Sequence, residues 1–150
     1  KVSGPFLDRI DIQIEVKKVN LNYLTGTPSN SEQNIEPQRK PEYPSSLLKE
    51  QVSNAQHIQH QRQGVLNAQL CPQRINEFCS LDSLTDDFLG CAIGELGLTA
   101  RVYHRILKVA RTLADLEASA TIQLRHVQLA LSFRAFDRFV HHYTKHEQIL

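Results

Sequence analysis

Methionine and tryptophan are absent from the 150 residues, and the chain opens on Lys1. With no start residue, and with Ser3-Gly4-Pro5 running straight into an apolar-acidic alternation, the sequence is expected to be the C-terminal piece of a larger protein. There is no apolar run of membrane-spanning length and no secretory pattern, so neither a membrane nor export is indicated. Charge of one sign is also lacking: 17 Lys and Arg against 16 Asp and Glu leave +1. That balance excludes a global basic field for nucleic acid, although not a local patch. Cysteine is sparse. Cys71, Cys79 and Cys91 are odd in number and contain no Cys-x-x-Cys pair, which argues against a disulfide framework and a structural zinc site. They are expected to be reduced and mostly buried in a cytoplasmic protein.

A phosphate-binding loop is missing as well. No Gly-x-x-x-x-Gly-Lys-[Ser/Thr] run occurs, and no glycine precedes a lysine anywhere. No apolar strand ending in paired acids is available to hold Mg²⁺ after such a loop.

Residues 10–16 (Ile-Asp-Ile-Gln-Ile-Glu-Val) alternate with period two, which predicts a strand with Ile10, Ile12, Ile14 and Val16 toward a core. No convincing partner strand follows, so its sheet would lie outside this sequence and residues 1–44 are expected to be largely mobile. Residues 17–44 are polar and punctuated by Pro28, Pro37, Pro41 and Pro44, as in a linker or surface loop. Helical patterns dominate the remainder. One runs from Leu47 to about Arg62 with a narrow packing stripe of Leu48, Val52 and Ala55. A short one follows Pro72 and carries Ile75 and Phe78. A third extends from Ser83 to Leu96 with Gly97 as its stop. Thr99 caps a fourth, to about Ala118, and residues 123–139 form a fifth. The expected fold is all-α, a small helical bundle at 45–140. It is preceded by a lone or disordered strand segment (1–16) and a linker (17–44), and followed by a His-rich tail (141–150).

The helix from 99 to 118 carries the most chemistry. At ~100° per residue, Val102, Ile106, Val109, Leu113 and Leu116 share one side, widened by Tyr103, Ala110 and Ala114. Arg101, Arg105, Lys108 and Arg111 gather on the other. Such a stripe is either a solvated basic face or a place where an arginine meets phosphate, for which the planar, permanently charged guanidinium is suited.

Several segments resemble one family. Ser3-Gly4-Pro5-Phe6-Leu7-Asp8-Arg9-Ile10-Asp11 resembles the end of the ATPase core in the magnesium-chelatase branch of the AAA+ proteins. The stretch 98–116, with Gln63-Gly64-Val65-Leu66-Asn67-Ala68-Gln69-Leu70 and Phe133-Arg134-Ala135-Phe136-Asp137-Arg138, resembles the lid of its ComM-like members. The resemblance implies a fold of AAA+ lid type and a homo-oligomeric ring, hexameric in the whole protein. It also implies ATP and Mg²⁺ as cofactors of that whole protein, and DNA as the partner of an ATP-driven motor for branch migration in natural transformation. Arg9 matches the arginine finger that reaches a neighbour's nucleotide in trans, with Asp8 and Asp11 orienting its turn. Arg101 best matches the lid's nucleotide-sensing arginine, ahead of Arg105 and Arg111; a helix N-terminus favours anions, which supports Arg101. A chelatase-type motor for metal insertion into porphyrin, and a stand-alone helical module binding nucleic acid or protein, remain as alternatives. A salt-dependent DNA titration separates the last of these.

His57 and His60, three apart, and His142 and His146, four apart, offer too few ligands for a tight metal site. They are expected at the surface, and His126 is expected buried and hydrogen-bonded. Asp115 and Glu117 are expected to serve as salt-bridge or capping residues. The isolated chain is expected to be monomeric, to bind no cofactor tightly and to hydrolyse no ATP. Measurable ATP turnover by the purified chain would overturn the last point.

Overall fold

Pro44, in extended backbone, opens α1 (Ser45–Gln63), which ends where Gly64 takes a left-handed φ of 77° and its N–H donates to His60 O at 2.9 Å. The computed structural model to which these elements belong describes residues 6, 8–14, 16 and 43–134. A 3₁₀ turn (Asn67–Gln69) leads into α2 (Pro72–Phe78), which has its proline in the first turn, where a missing N–H costs nothing. The next helix, α3 (Ser83–Leu96), is capped by Asp82 rather than by Ser83. The Asp82 carboxylate accepts from Thr85 N at 3.0 Å and Thr85 Oγ1 at 2.8 Å, and the backbone bond above all lowers its pKa. Gly97, at φ 61°, stops α3 as expected. Thr99 caps α4 (Ala100–Leu116) through Val102 N, and α5 (Leu124–Ser132) follows.

The all-α bundle expected from the sequence is what forms. Helix α4 is its axle, packing against α5, α1, the 3₁₀ turn and α2. Its Val102, Ile106, Leu107, Ala110 and Ala114 meet Ile75 of α2, Cys79 just after it, Leu89 of α3, and Val127 and Ala130 of α5 in one core. Full burial of an aliphatic side chain of this kind contributes about 1.5–3 kcal/mol.

Other expectations are corrected. Among the described residues none is in a strand. The expected inward face is not formed either: Ile12, Ile14 and Val16 are exposed and Ile10 is half-buried, while Gln13 is buried and its N–H donates to Phe133 O at 2.8 Å. The backbone of Gln13 and Ile10 is paired instead with the end of the last helix, at Phe133 and Arg134. The described residues 8–13 contact α4 and the end of α5. The expected stripe of α1 packs only at Ala55; Leu48 and Val52 stay exposed and the buried positions are Ala55, Gln59 and Gln63. The buried face of α4 is rotated from the purely apolar one, so that Leu107 and Arg111 lie inside and Leu116 outside. Of the cysteines only Cys79 is buried, and burial pushes its thiol up to about 11. The last expected helix, 123–139, ends already at Ser132 with Phe133 as its cap and a turn to Arg134; residues 135–150, with the His-rich tail, lie outside the described residues.

The rotation of α4 has a polar cause. Asp115 has no exposed side-chain surface. Arg62 of α1 holds both its oxygens, at 2.5 and 3.0 Å, Arg111 donates from Nε at 3.1 Å, and Asn67 from Nδ2 at 2.8 Å. Asn67 in turn accepts from Gln63 at 2.9 Å and donates from its backbone to Gln59 at 2.9 Å. The glutamines that made α1 look too polar to pack are thus the groups that pack it. A second polar contact joins α4 to α5. His126, buried as expected, accepts from Gln123 N at Nδ1 (2.9 Å), which leaves Nε2 to meet Glu117 Oε2 at 3.1 Å. That bond, with Arg125, holds the Glu117 carboxyl below its usual range.

Removing Asp115 leaves two guanidinium groups without their shared anion. Asp115→Ala is expected to destabilise the chain by about 3–5 kcal/mol, read as a shift of the urea midpoint at constant m-value. A loss below about 1 kcal/mol would show that solvent compensates the arginines.

Candidate functional site

The first turns of α4 face a groove of about 530 Å³ that the helix shares with α2 and residues 11 and 12. Arg101, His104, Arg105 and Lys108 form its polar edge, and Val109 and Leu113 continue it as an apolar wall. The helix places them so because positions three, four and seven apart share a face.

The three candidate arginines of α4 are not equivalent. Arg101, in the first turn, is exposed and makes no hydrogen bond or ion pair with any described residue. Arg105, one turn on, forms an ion pair with Asp11. Arg111 is buried and saturated: besides Asp115 it donates to Ala120 O at 3.0 Å and Ser119 O at 2.6 Å. It closes the chain after α4, where Ala118 takes a positive φ of 51°, and it is unavailable to a ligand. Burial is the main influence lowering its pKa, opposed by Asp115. Lys108 is likewise engaged, donating to Ala68 O at 3.0 Å. The basic stripe read from periodicity therefore resolves into one uncommitted cation and three committed ones.

Arg9 lies at the same end of α4. Its turn is closed by Arg9 N donating to Phe6 O at 3.0 Å, and its side chain is exposed without a described partner. Asp8 accepts from the hydroxyl of Thr99, the cap of α4, at 3.3 Å. No periodicity in the sequence links residue 8 to residue 99, and that juxtaposition was beyond sequence reasoning. Also missed was the role of Arg62, hidden in a Gln-rich helix whose only signal was its unusual polarity.

Among the described residues, this corner offers an anion a free donor group. The α4 N-terminus is not an open anion cradle, since Thr99 takes the Val102 and Tyr103 N–H groups and Asp8 places a carboxylate beside it. The fork of Arg101, with its N–H donors unspent, is what can hold a phosphate oxygen. Asp8 and Asp11 are both engaged by α4, and among the described residues no group of three His, Cys, Asp or Glu comes together to hold a metal.

The contrast within α4 is measurable. Arg111→Ala is expected to lower stability by about 3 kcal/mol, whereas Arg101→Ala should stay within about 0.5 kcal/mol of the parent chain. Equal thermal midpoints for the two variants would contradict the assignment of Arg111 to the core.

Among the described residues no helix is long and apolar enough to cross a membrane. The chain is 37% identical over 145 residues to the uncharacterized protein YifB of Escherichia coli, covering 97% of this chain and 26% of that protein. It is 38% identical over 140 residues to the competence protein ComM of Haemophilus influenzae, covering 93% of this chain and 25% of that one. The chain thus spans about a quarter of the length of these relatives. The family profile described as "Magnesium chelatase, subunit ChlI C-terminal" matches residues 42–134, a span that takes in every helix from α1 to α5. The chain belongs to this magnesium-chelatase C-terminal family.

Proposed function

We propose that this chain is the lid region of a ring-forming ATPase of the magnesium-chelatase-related AAA+ type, and that the whole protein is a DNA-handling motor. In this reading Arg101 contacts the phosphates of a bound nucleotide from the lid, and Arg9 reaches the nucleotide of a neighbouring subunit. The observation that carries it is the guanidinium of Arg101 in the first turn of α4, which pairs with no described residue, whereas Arg105 is paired with Asp11, Lys108 donates to Ala68 O and Arg111 is buried on Asp115. A cation in such a place is free to move onto charge that develops during phosphoryl transfer. ATP and Mg²⁺ would be held mainly by sequence outside this chain, because the phosphate loop and paired acids are absent here. The competence protein among the relatives favours DNA over a porphyrin as the motor's object. The family description, drawn from magnesium chelatase, keeps the chelatase motor as the second reading.

Mixing subunits tests the trans arrangement. In the assembled ATPase, Arg9→Ala alone is expected to cut turnover by about 10³-fold. A subunit with a disabled phosphate loop should be equally inactive. Mixed, the two should recover activity, because the phosphate-loop variant still supplies Arg9 to its neighbour. No recovery on mixing would refute the trans role. Arg101→Ala should lower kcat/KM at least about tenfold, and unchanged kinetics would reduce Arg101 to a surface residue. Turnover that responds to single-stranded or branched DNA supports the DNA motor; response to a porphyrin and metal instead would favour the chelatase.

A further inference from the structure

The turn bearing Arg9 is gripped from both sides. Asp8, immediately before it, accepts from the hydroxyl of Thr99 at 3.3 Å, and Asp11, two residues after it, pairs with Arg105. Thr99 and Arg105 are the cap and the second turn of α4, and Arg101 lies between them on the same helix. Behind the turn, buried Arg134 at the end of α5 donates to Ile10 O, and Gln13 N–H donates to Phe133 O at 2.8 Å. Four bonds thus fasten a segment of six residues, while the side chain of Arg9 itself stays free of described partners.

We infer that Asp8, Asp11 and Arg105 form a clamp that fixes the Arg9 turn to the first two turns of α4, so that Arg9 and Arg101 move as one body. The inference rests on the reading above only for what the two arginines do; the clamp stands on the contacts alone. Arg105 is then a positioning residue. Its fork meets a carboxylate of its own chain, and what it contributes is the place of Arg9. Any tilt of α4 on meeting a phosphate through Arg101 carries Arg9 with it. A covalently distant residue becomes coupled to the sensing helix through charge rather than through the backbone, since 92 residues separate Arg9 from Arg101 in sequence.

The clamp is read out at Gln13 N–H, which exchanges with solvent when the segment lifts from Phe133. An ion pair this exposed, with side chains 27% and 53% accessible, holds by a small factor. Arg105→Gln is therefore expected to speed exchange at residue 13 by about two- to fivefold, while amides in the core of α4 and the thermal midpoint stay put. Arg105→Lys should retain most of the protection at low salt, and the swap of Asp11→Arg with Arg105→Asp should restore it. Salt should speed exchange in the parent chain and leave Arg105→Gln unmoved. The clamp is overturned if residue 13 is indifferent to Arg105→Gln, or if all α4 amides accelerate in step with it. In the assembled ATPase, Arg105→Gln is expected to lower kcat with KM kept within about twofold; a rise in KM alone would assign Arg105 to phosphate and overturn its positioning role. The exchange measurement contains no nucleotide. Failure of the subunit-mixing experiment would leave it intact, and its own failure would leave that experiment intact.

Discussion

Asp115 sits where α1, the 3₁₀ turn and α4 meet, with no exposed surface and with Arg62, Asn67 and Arg111 converging on it. A lone carboxylate in such a place would be costly. Here it receives hydrogen bonds from two cations and an amide, and each of those donors is itself tied to a different piece of chain. Arg62 and Asn67 belong to α1 and the turn after it, and Arg111 extends to the carbonyls of Ser119 and Ala120. The orientation of α4 follows from this point. Turning the helix to bury only its apolar side would expose Leu107 and drag Arg111 away from those carbonyls.

A buried ion pair is weak evidence of stability, because apolar side chains of the same volume often serve as well. The stronger consequence is register. Gln59, Gln63 and Asn67 are buried, and each would cost about 1–3 kcal/mol if displaced from its partner. A slide of α1 by one turn along α4 would strand all of them. A greasy helix tolerates such slippage; this one does not. The groove inherits that precision, since its walls are drawn from α2 and α4, and the placement of α2 is secured by Arg74 donating to Gln63 O at 2.6 Å.

The same helix that holds the bundle together on one side presents the candidate chemistry on the other. Arg111 is spent inside; Arg101, ten residues earlier, is open to solvent at the far end. The difference comes from position along the axis rather than from residue type. By Arg111 the helix is enclosed by α1 and the chain leading to α5, whereas in its first turn Val102 is buried in the core and Arg101 stays exposed.

Periodicity and capping chemistry were enough to place the helices. Thr99 and Gly97 fall where their hydroxyl and left-handed φ are required, Pro72 where a missing N–H is harmless, and these are local effects that any chain of this sequence feels. The sequence by itself therefore determined an all-α bundle built around the helix from Ala100 to Leu116, and confined the candidate site to a handful of arginines. Which of them are engaged inside the chain was decided by tertiary structure alone. Whether a guanidinium is free depends on the carboxylates and carbonyls that other elements bring to it, over separations of 94 residues for Asp11 and 53 for Arg62. Helical spacing, which repeats every few residues, carries no information at that range. For the same reason the alternation at 10–16 suggested a strand: it records which residues could share a face, and only the docking against Phe133 settled that Gln13, not its isoleucine neighbours, would be the buried one.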